Sequence, residues 1–222
     1  MKKILLFPIL AAVLFGWGCT SSTNPPPSST PPPADGSTFA YHATTVYASL
    51  PTKDVAATDT LVHSGITYKG RSNVSFYHST ADDSSYSNYD VNGDVERYLS
   101  SPVKQISLLV SGWVTIPYGS GGSSITKILD TTIGVLHVQI ADTATLLGFD
   151  TLLINGQKVA TQKVYATGTG KGTFGSITQS QGLRDTIWYA PSLRYEVKSV
   201  LQNWSTGVDS TTTKIVTSTS VK

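Results

Sequence analysis

Leu152-Leu153-Ile154-Asn155-Gly156-Gln157-Lys158-Val159-Ala160-Thr161-Gln162-Lys163-Val164-Tyr165 is the stretch on which the fold turns. Leu152–Ile154 and Val159–Tyr165 are strand-like runs on either side of Asn155-Gly156. Asn and Gly both tolerate the positive φ that a two-residue type I′ turn demands, so the unit reads as a β-hairpin. The same pattern extends in both directions. From Phe39 onward the apolar period is two rather than 3.6. Phe39, Tyr41, Ala43, Thr45 and Tyr47 alternate along one strand, and Val74, Phe76 and His78 alternate against Asn73, Ser75 and Tyr77. Gln105–Pro117 is a longer run, and Asp185–Tyr189, Tyr195–Leu201 and Lys214–Val221 are three more strands. Turn signals recur at Lys69-Gly70, Asn92-Gly93, Gly119–Gly122, Gly168–Gly172 and Gly207. This spacing predicts antiparallel strands with short loops, as in a meander, sandwich or open barrel. No amphipathic helix of twelve or more residues is found; Thr126–Thr132 or Asp142–Leu147 could each make a short helical turn.

Composition agrees. The chain carries 30 Thr and 28 Ser in 222 residues, with only 14% charged side chains. The branched β-carbon of Thr suits a pleated sheet. Such a chain fits an exported β-protein better than a cytosolic helical enzyme.

The N-terminus supplies the export reading. Lys2 and Lys3 precede an apolar stretch, Ile4–Phe15, that is shorter than the ~20 residues needed to span a bilayer. Leu14-Phe15-Gly16-Trp17-Gly18-Cys19 resembles a lipobox, the site where signal peptidase II cuts before a cysteine that becomes lipidated. Gly18 matches the small residue of that pattern, whereas Gly16 stands where Leu is usual and Trp17 departs from it. Residues 1–18 are therefore expected to be a lipoprotein signal peptide and Cys19 the lipidated N-terminus. Residues 19–37 hold Pro25–Pro27 and Pro31–Pro33 among Ser and Thr, an extended tether. At ~3.1 Å per residue, about eighteen such residues reach some 50 Å. Residues 38–222 form the expected single β domain. Thr20 after the cysteine points to the outer membrane by analogy with enteric sorting.

Cys19 is the one cysteine of the chain, which excludes an internal disulfide and cysteine-based zinc or redox sites. Of 16 Lys and Arg, Lys2 and Lys3 lie in the signal, which leaves 14 against 14 Asp and Glu. That balance gives no basic field for nucleic acid.

Asp90-Val91-Asn92-Gly93-Asp94-Val95-Glu96 alternates oxygen side chains as a calcium loop does. Val95 and Ser101 stand where such a loop needs Gly and Glu, so the segment is read as a hairpin turning at Asn92-Gly93, with Tyr89–Val91 paired to Asp94–Glu96. His42, His63, His78 and His137 are far apart and lack metal-site spacing. No GxSxG elbow occurs. Gly168-Thr169-Gly170-Lys171-Gly172-Thr173 lacks phosphate-loop order and is expected to be a flexible hairpin loop. Asp82-Asp83 are expected to be solvated turn residues, and Trp113, Trp188 and Trp204 to pack in strands.

Thr186-Ile187-Trp188-Tyr189-Ala190-Pro191-Ser192-Leu193-Arg194-Tyr195-Glu196-Val197-Lys198-Ser199-Val200 resembles the WYAPGVGxVK motif of TapB-like secreted proteins and related envelope lipoproteins of unknown function. Tyr89–Leu99 resembles their NGD hairpin. The resemblance implies a curved antiparallel sheet, an open half-barrel loosely similar to LolA/LolB-type lipoprotein carriers, and no catalytic residues. Ser192 and Arg194 replace family glycines. Because Arg resists glycine-only angles, a wider or differently registered turn is expected there.

The expected protein is thus all-β or mostly β, with little helix, no cofactor and no metal. It is held to the envelope membrane through acyl chains on Cys19. Its domain is expected to bind or scaffold a protein partner without catalysis. The alternative is a carrier of a lipid or other hydrophobic ligand, and an envelope hydrolase is the third reading. A carrier requires a deep apolar pocket, a scaffold a filled core with an exposed patch, and an enzyme converging titratable groups.

Overall fold

The computed structural model describes residues 33–81, 84–89, 94–99, 112–116, 123–133, 135–205 and 209–222. The period-two segments form twelve strands: β1 (Thr38–Tyr47), β2 (Lys53–Tyr68), β3 (Arg71–Ser79), β4 (Ser84–Tyr89), β5 (Val95–Leu99), β6 (Gly112–Ile116), β7 (Ser123–Ile133), β8 (Leu136–Ile154), β9 (Gln157–Phe174), β10 (Ile177–Ala190), β11 (Tyr195–Ser205) and β12 (Ser210–Ser220). They lie in one antiparallel sheet in the order β6-β5-β4-β3-β2-β1-β12-β11-β10-β9-β8-β7. Each ladder joins neighbours in sequence except the one between β1 and β12. The edge strands β6 and β7 approach each other, and no ladder pairs them among the described residues. Right-handed twist accumulated over twelve strands curls the sheet toward closure. The result is an open half-barrel with no helix among the described residues.

The hairpin of the opening stretch forms as read. Ile154 pairs with Gln157 around Asn155 and Gly156, whose φ values are 53° and 74°. Lys69 and Gly70, at 46° and 78°, make the same kind of turn between β2 and β3. Inward residues fill two apolar clusters. Phe39, Tyr41, Leu61, Tyr77, Tyr195, Val197 and Val216 belong to the first, where Phe39 is fully buried and stacks on Tyr195 at 4.1 Å. The second joins Val95 and Ile116 to Ala144, Val164, Ile187 and Tyr189, so β5 and β6 pack across the concavity onto β8–β10.

Several expectations are corrected. Thr126–Thr132 and Asp142–Leu147 lie within β7 and β8 as strand. Register shifts at Ile125/Lys127 and Leu146/Gly148 insert extra residues there, and a bulge breaks the strand period that a sequence reader relies on. Gly168–Gly172 is not a loop but the interior of β9, with Gly168, Thr169 and Gly170 buried. A Cβ on Gly168 would collide with the Asp142 carboxylate and lie 3.1 Å from Leu183 Cγ, so Gly here permits close crossing by neighbours. The turn that ends β9 is at Gly175, with φ 58°. In the β4–β5 hairpin, Tyr89 pairs with Val95 and Asn88 with Glu96. That is one residue off the expected register; the turn itself, with Gly119–Gly122, Gly207, Asp82-Asp83 and most of Gln105–Pro117, lies outside the described residues. Arg194 accepts φ 47° and closes a short turn with Leu193 N–H donating to Ala190 O at 3.0 Å. The turn is short rather than wide, and the β10–β11 register shifts beside it, between Trp188 and Tyr189; the positive φ of Arg194 carries a backbone cost of roughly 1 kcal/mol.

Candidate functional site

Alternation along the strands places a set of polar side chains on the concave face. Ser85 and Ser87 of β4 and Val95 and Arg97 of β5 point inward, while Tyr86 and Tyr98 point outward. Asp59 of β2 sits between the inward Ala57 and Leu61, and Lys214 of β12 between Thr212 and Val216. Together with Asp185 and Tyr189 of β10 and Tyr195 and Glu196 of β11, they line a cavity of about 300 Å³. The cavity touches both apolar clusters, sharing Tyr41, Tyr77 and Tyr195 with one and Val95 and Tyr189 with the other.

Its charges are organised in pairs. Arg97 Nη2 lies 2.5 Å from Glu196 Oε1. Lys214 Nζ donates to Asp59 Oδ2 at 3.1 Å and sits 3.7 Å from the centre of the Tyr41 ring. The Tyr195 hydroxyl donates to the same Asp59 oxygen. Burial drives the Tyr195 hydroxyl pKa far above its ordinary value, and the Asp59 charge and this hydrogen bond add to the shift. Tyr77 is likewise raised by burial. Asp185 is different. Burial, followed by the negative charge of Glu196, pushes its carboxyl up to about 7, while Arg97 and the Thr186 backbone N–H pull it down. Asp185 Oδ1 and Asp59 Oδ1 are buried without a hydrogen-bond partner among the described residues. Buried acceptors of this kind call for a donor from solvent or ligand.

A second cluster lies on the outer face. Three register shifts between Leu61 and Tyr68 bend the β2–β3 hairpin over β4–β6. Tyr68 stacks on Tyr86 at 3.8 Å and meets Tyr98 edge-on at 5.3 Å. Trp113 Nε1 donates to Lys69 O at 3.0 Å. Beneath the hairpin, Arg71 grips Glu96 with two bonds of 2.7 and 2.6 Å, and Asn88 Nδ2 adds a third at 2.8 Å. Glu96 is thus committed to a structural ion pair.

Of the residues singled out in the sequence, Cys19, Asp90 and Asn92 lie outside the described residues, and Asp94 and Glu96 are buried. The histidines stay apart. His42 is 4.0 Å from Asp54, His63 is 4.0 Å from Asp35, His78 contacts Ser84, and His137 Nε2 is 2.6 Å from Asp130. Among the described residues no group of three or more His, Asp or Glu could hold a metal ion. The tryptophans sit in three separate settings. Trp113 joins the outer cluster, Trp188 lies against Lys163 and Lys198 and donates to Asp150 at 3.0 Å, and Trp204 stacks under Arg184.

The pocket residues Asp59, Arg97, Asp185, Glu196 and Lys214 were not singled out as site residues by the sequence reading. One signal was available: in a chain with few charges, Asp59 stands between the inward apolar Ala57 and Leu61, and Lys214 stands two residues before the inward Val216.

No protein-family model matches this chain, and no curated protein matches it. Among solved structures, the hypothetical lipoprotein YmcC from Escherichia coli (K12) aligns over 80% of this chain and 87% of its own, with a TM-score of 0.33 and 10% sequence identity. Nothing about the function of this chain follows from a likeness at that level. The resemblance to TapB-like proteins rests on its two short patches alone.

Proposed function

We propose that this protein is a cell-envelope lipoprotein, anchored to the outer membrane by acyl chains on Cys19, whose β domain is a non-catalytic binding module. The concave pocket is its ligand site. The observation that carries the reading is the chemistry of that lining: three carboxylates, Arg97, Lys214 and a set of hydroxyls on the concave face of the sheet, with the exposed turn residue Arg194 at the edge. Interiors are closed with apolar side chains unless polarity serves another purpose, because each buried charge is costly to desolvate. The same lining argues against a lipid or other hydrophobic ligand, which needs apolar walls.

A hydrolase draws on the same residues. Asp185, held near neutrality, stands beside an ion-paired Glu196, and acid–base chemistry uses carboxylates split in this way.

Native mass spectrometry of the full chain extracted from its membrane tests the module. The expected spectrum shows triacyl or diacyl mass on Cys19 and no stoichiometric lipid beyond it. A copurifying lipid in the pocket would restore the carrier. A Cys19→Ser variant is expected to lose acyl labelling and membrane association, and retention of both would overturn the anchor.

A further inference from the structure

We infer that the concave pocket takes an uncharged, hydroxyl-rich molecule of about monosaccharide size. This rests on the binding-module reading above and adds the class of ligand.

Charge is the first guide. Arg97 is matched by Glu196 and Lys214 by Asp59, so the strongest charges on the wall are already neutralised within it. A phosphate or other anion would face Asp59, Asp185 and Glu196; a polyamine would face Arg97, Arg194 and Lys214. Either ion would meet like charge on desolvated walls, where repulsion is least screened. An uncharged ligand meets no such penalty.

Hydrogen bonding is the second guide. Asp59 Oδ1 and Asp185 Oδ1 are acceptors without partners among the described residues, and they stand on opposite arms of the sheet, on β2 and β10. Each requires a donor. A ligand hydroxyl supplies one and then accepts in turn from Ser or Thr hydroxyls on the wall. Such reciprocity is what a polyol provides and an apolar or purely cationic ligand does not.

Shape is the third. Tyr77 and Tyr189 border the cavity, and against their rings the C–H face of a sugar can rest between its hydroxyls, whereas Lys214 already covers Tyr41 and Phe39 stacks on Tyr195. A volume of about 300 Å³ lies at the small end of ligand pockets, which suits one ring and not a chain of them.

The test is ligand-observed NMR on the detergent-solubilised full chain. The probes are neutral monosaccharides (glucose, galactose and N-acetylglucosamine), with inorganic phosphate and spermidine as charged probes. At least one neutral sugar is expected to give saturation transfer. Asp185→Asn should weaken it about tenfold at pH 8, where the loss of a charged acceptor is felt most. Ser199→Phe, which fills the cavity, should abolish it, and melting temperatures of both variants establish that they fold. Binding of phosphate or spermidine alone, sensitive to Ser199→Phe, overturns the ligand class and leaves the pocket reading standing. No binding by any probe overturns both.

Discussion

Asp185→Asn is the substitution whose consequence is best specified. The Asp185 carboxyl goes from an ordinary value of 3.8 to about 7 in the folded protein. Between those values the native state holds a proton that the unfolded chain has released. Stability therefore falls as pH rises from about 4 to 7 and is level beyond, because the folded protein binds more protons over that window. Three units at ~1.36 kcal/mol each set a ceiling of about 4 kcal/mol on what ionised Asp185 costs at pH 8. Asn has nearly the same shape and no charge to desolvate, so the variant should escape this cost. Urea unfolding, followed by Trp fluorescence at unit pH steps from 4 to 9, compares the two chains. The variant is expected to match wild type near pH 4 and to exceed it by 1–4 kcal/mol at pH 8, a range bounded by that ceiling. The other carboxylates are present in both proteins, so the difference isolates Asp185. A difference that stays constant from pH 4 to 9, or one of opposite sign at pH 8, would refute the assignment of a buried, proton-binding Asp185.

Other perturbations are as definite. Phe39→Ala removes a fully buried ring from the first cluster and should destabilise by about 3–5 kcal/mol in the same urea assay. Gly168→Val forces a side chain into the Asp142 and Leu183 crossing; a loss of about 1–3 kcal/mol is expected, and an unchanged midpoint would show that β9 does not run through the position as described. Tyr68→Ala unclamps the β2–β3 hairpin from Tyr86, so amide exchange should rise in residues 66–74 while β9 and β10 stay protected. Arg194→Gly relieves a positive φ and should raise the melting temperature by a few degrees, and an unchanged or lower value would show that this φ carries no net strain.

Strands with clean alternation were legible because one face packs and the other meets water. Phe39, Tyr41 and Ala43 announce β1, and Asn155-Gly156 announces a turn that only those residue types make cheaply. Legibility fails where a local rule is overridden from far away. The glycines of β9 look like a loop until Asp142 and Leu183, on the two flanking strands, are seen to occupy the space a side chain would need. Bulges at Ile125/Lys127 and Leu146/Gly148 disguise long strands as helical turns. The pocket was hidden for a related reason. Asp59, Asp185 and Glu196 are ordinary surface residues until the curl of the sheet, a property of twelve strands together, closes around them. Asp94 and Glu96 looked like cation ligands because their spacing was visible, whereas Arg71, which claims Glu96, comes from another hairpin.

The pairing of β1 with β12 bears on how the chain folds. Thr38 lies against Ser220, and Ala34 N–H reaches Lys222 O at 3.1 Å, while every other ladder links neighbours in sequence. Hairpins from β2 to β6 and from β7 to β11 have local contacts and can form early. The seam that joins the two arms must wait for strands separated by most of the domain, so its loop-closure entropy falls on the last step. Until then β1 is an unpaired edge, open to the wrong partner. Refolding should therefore show a slow phase that reports the seam alone.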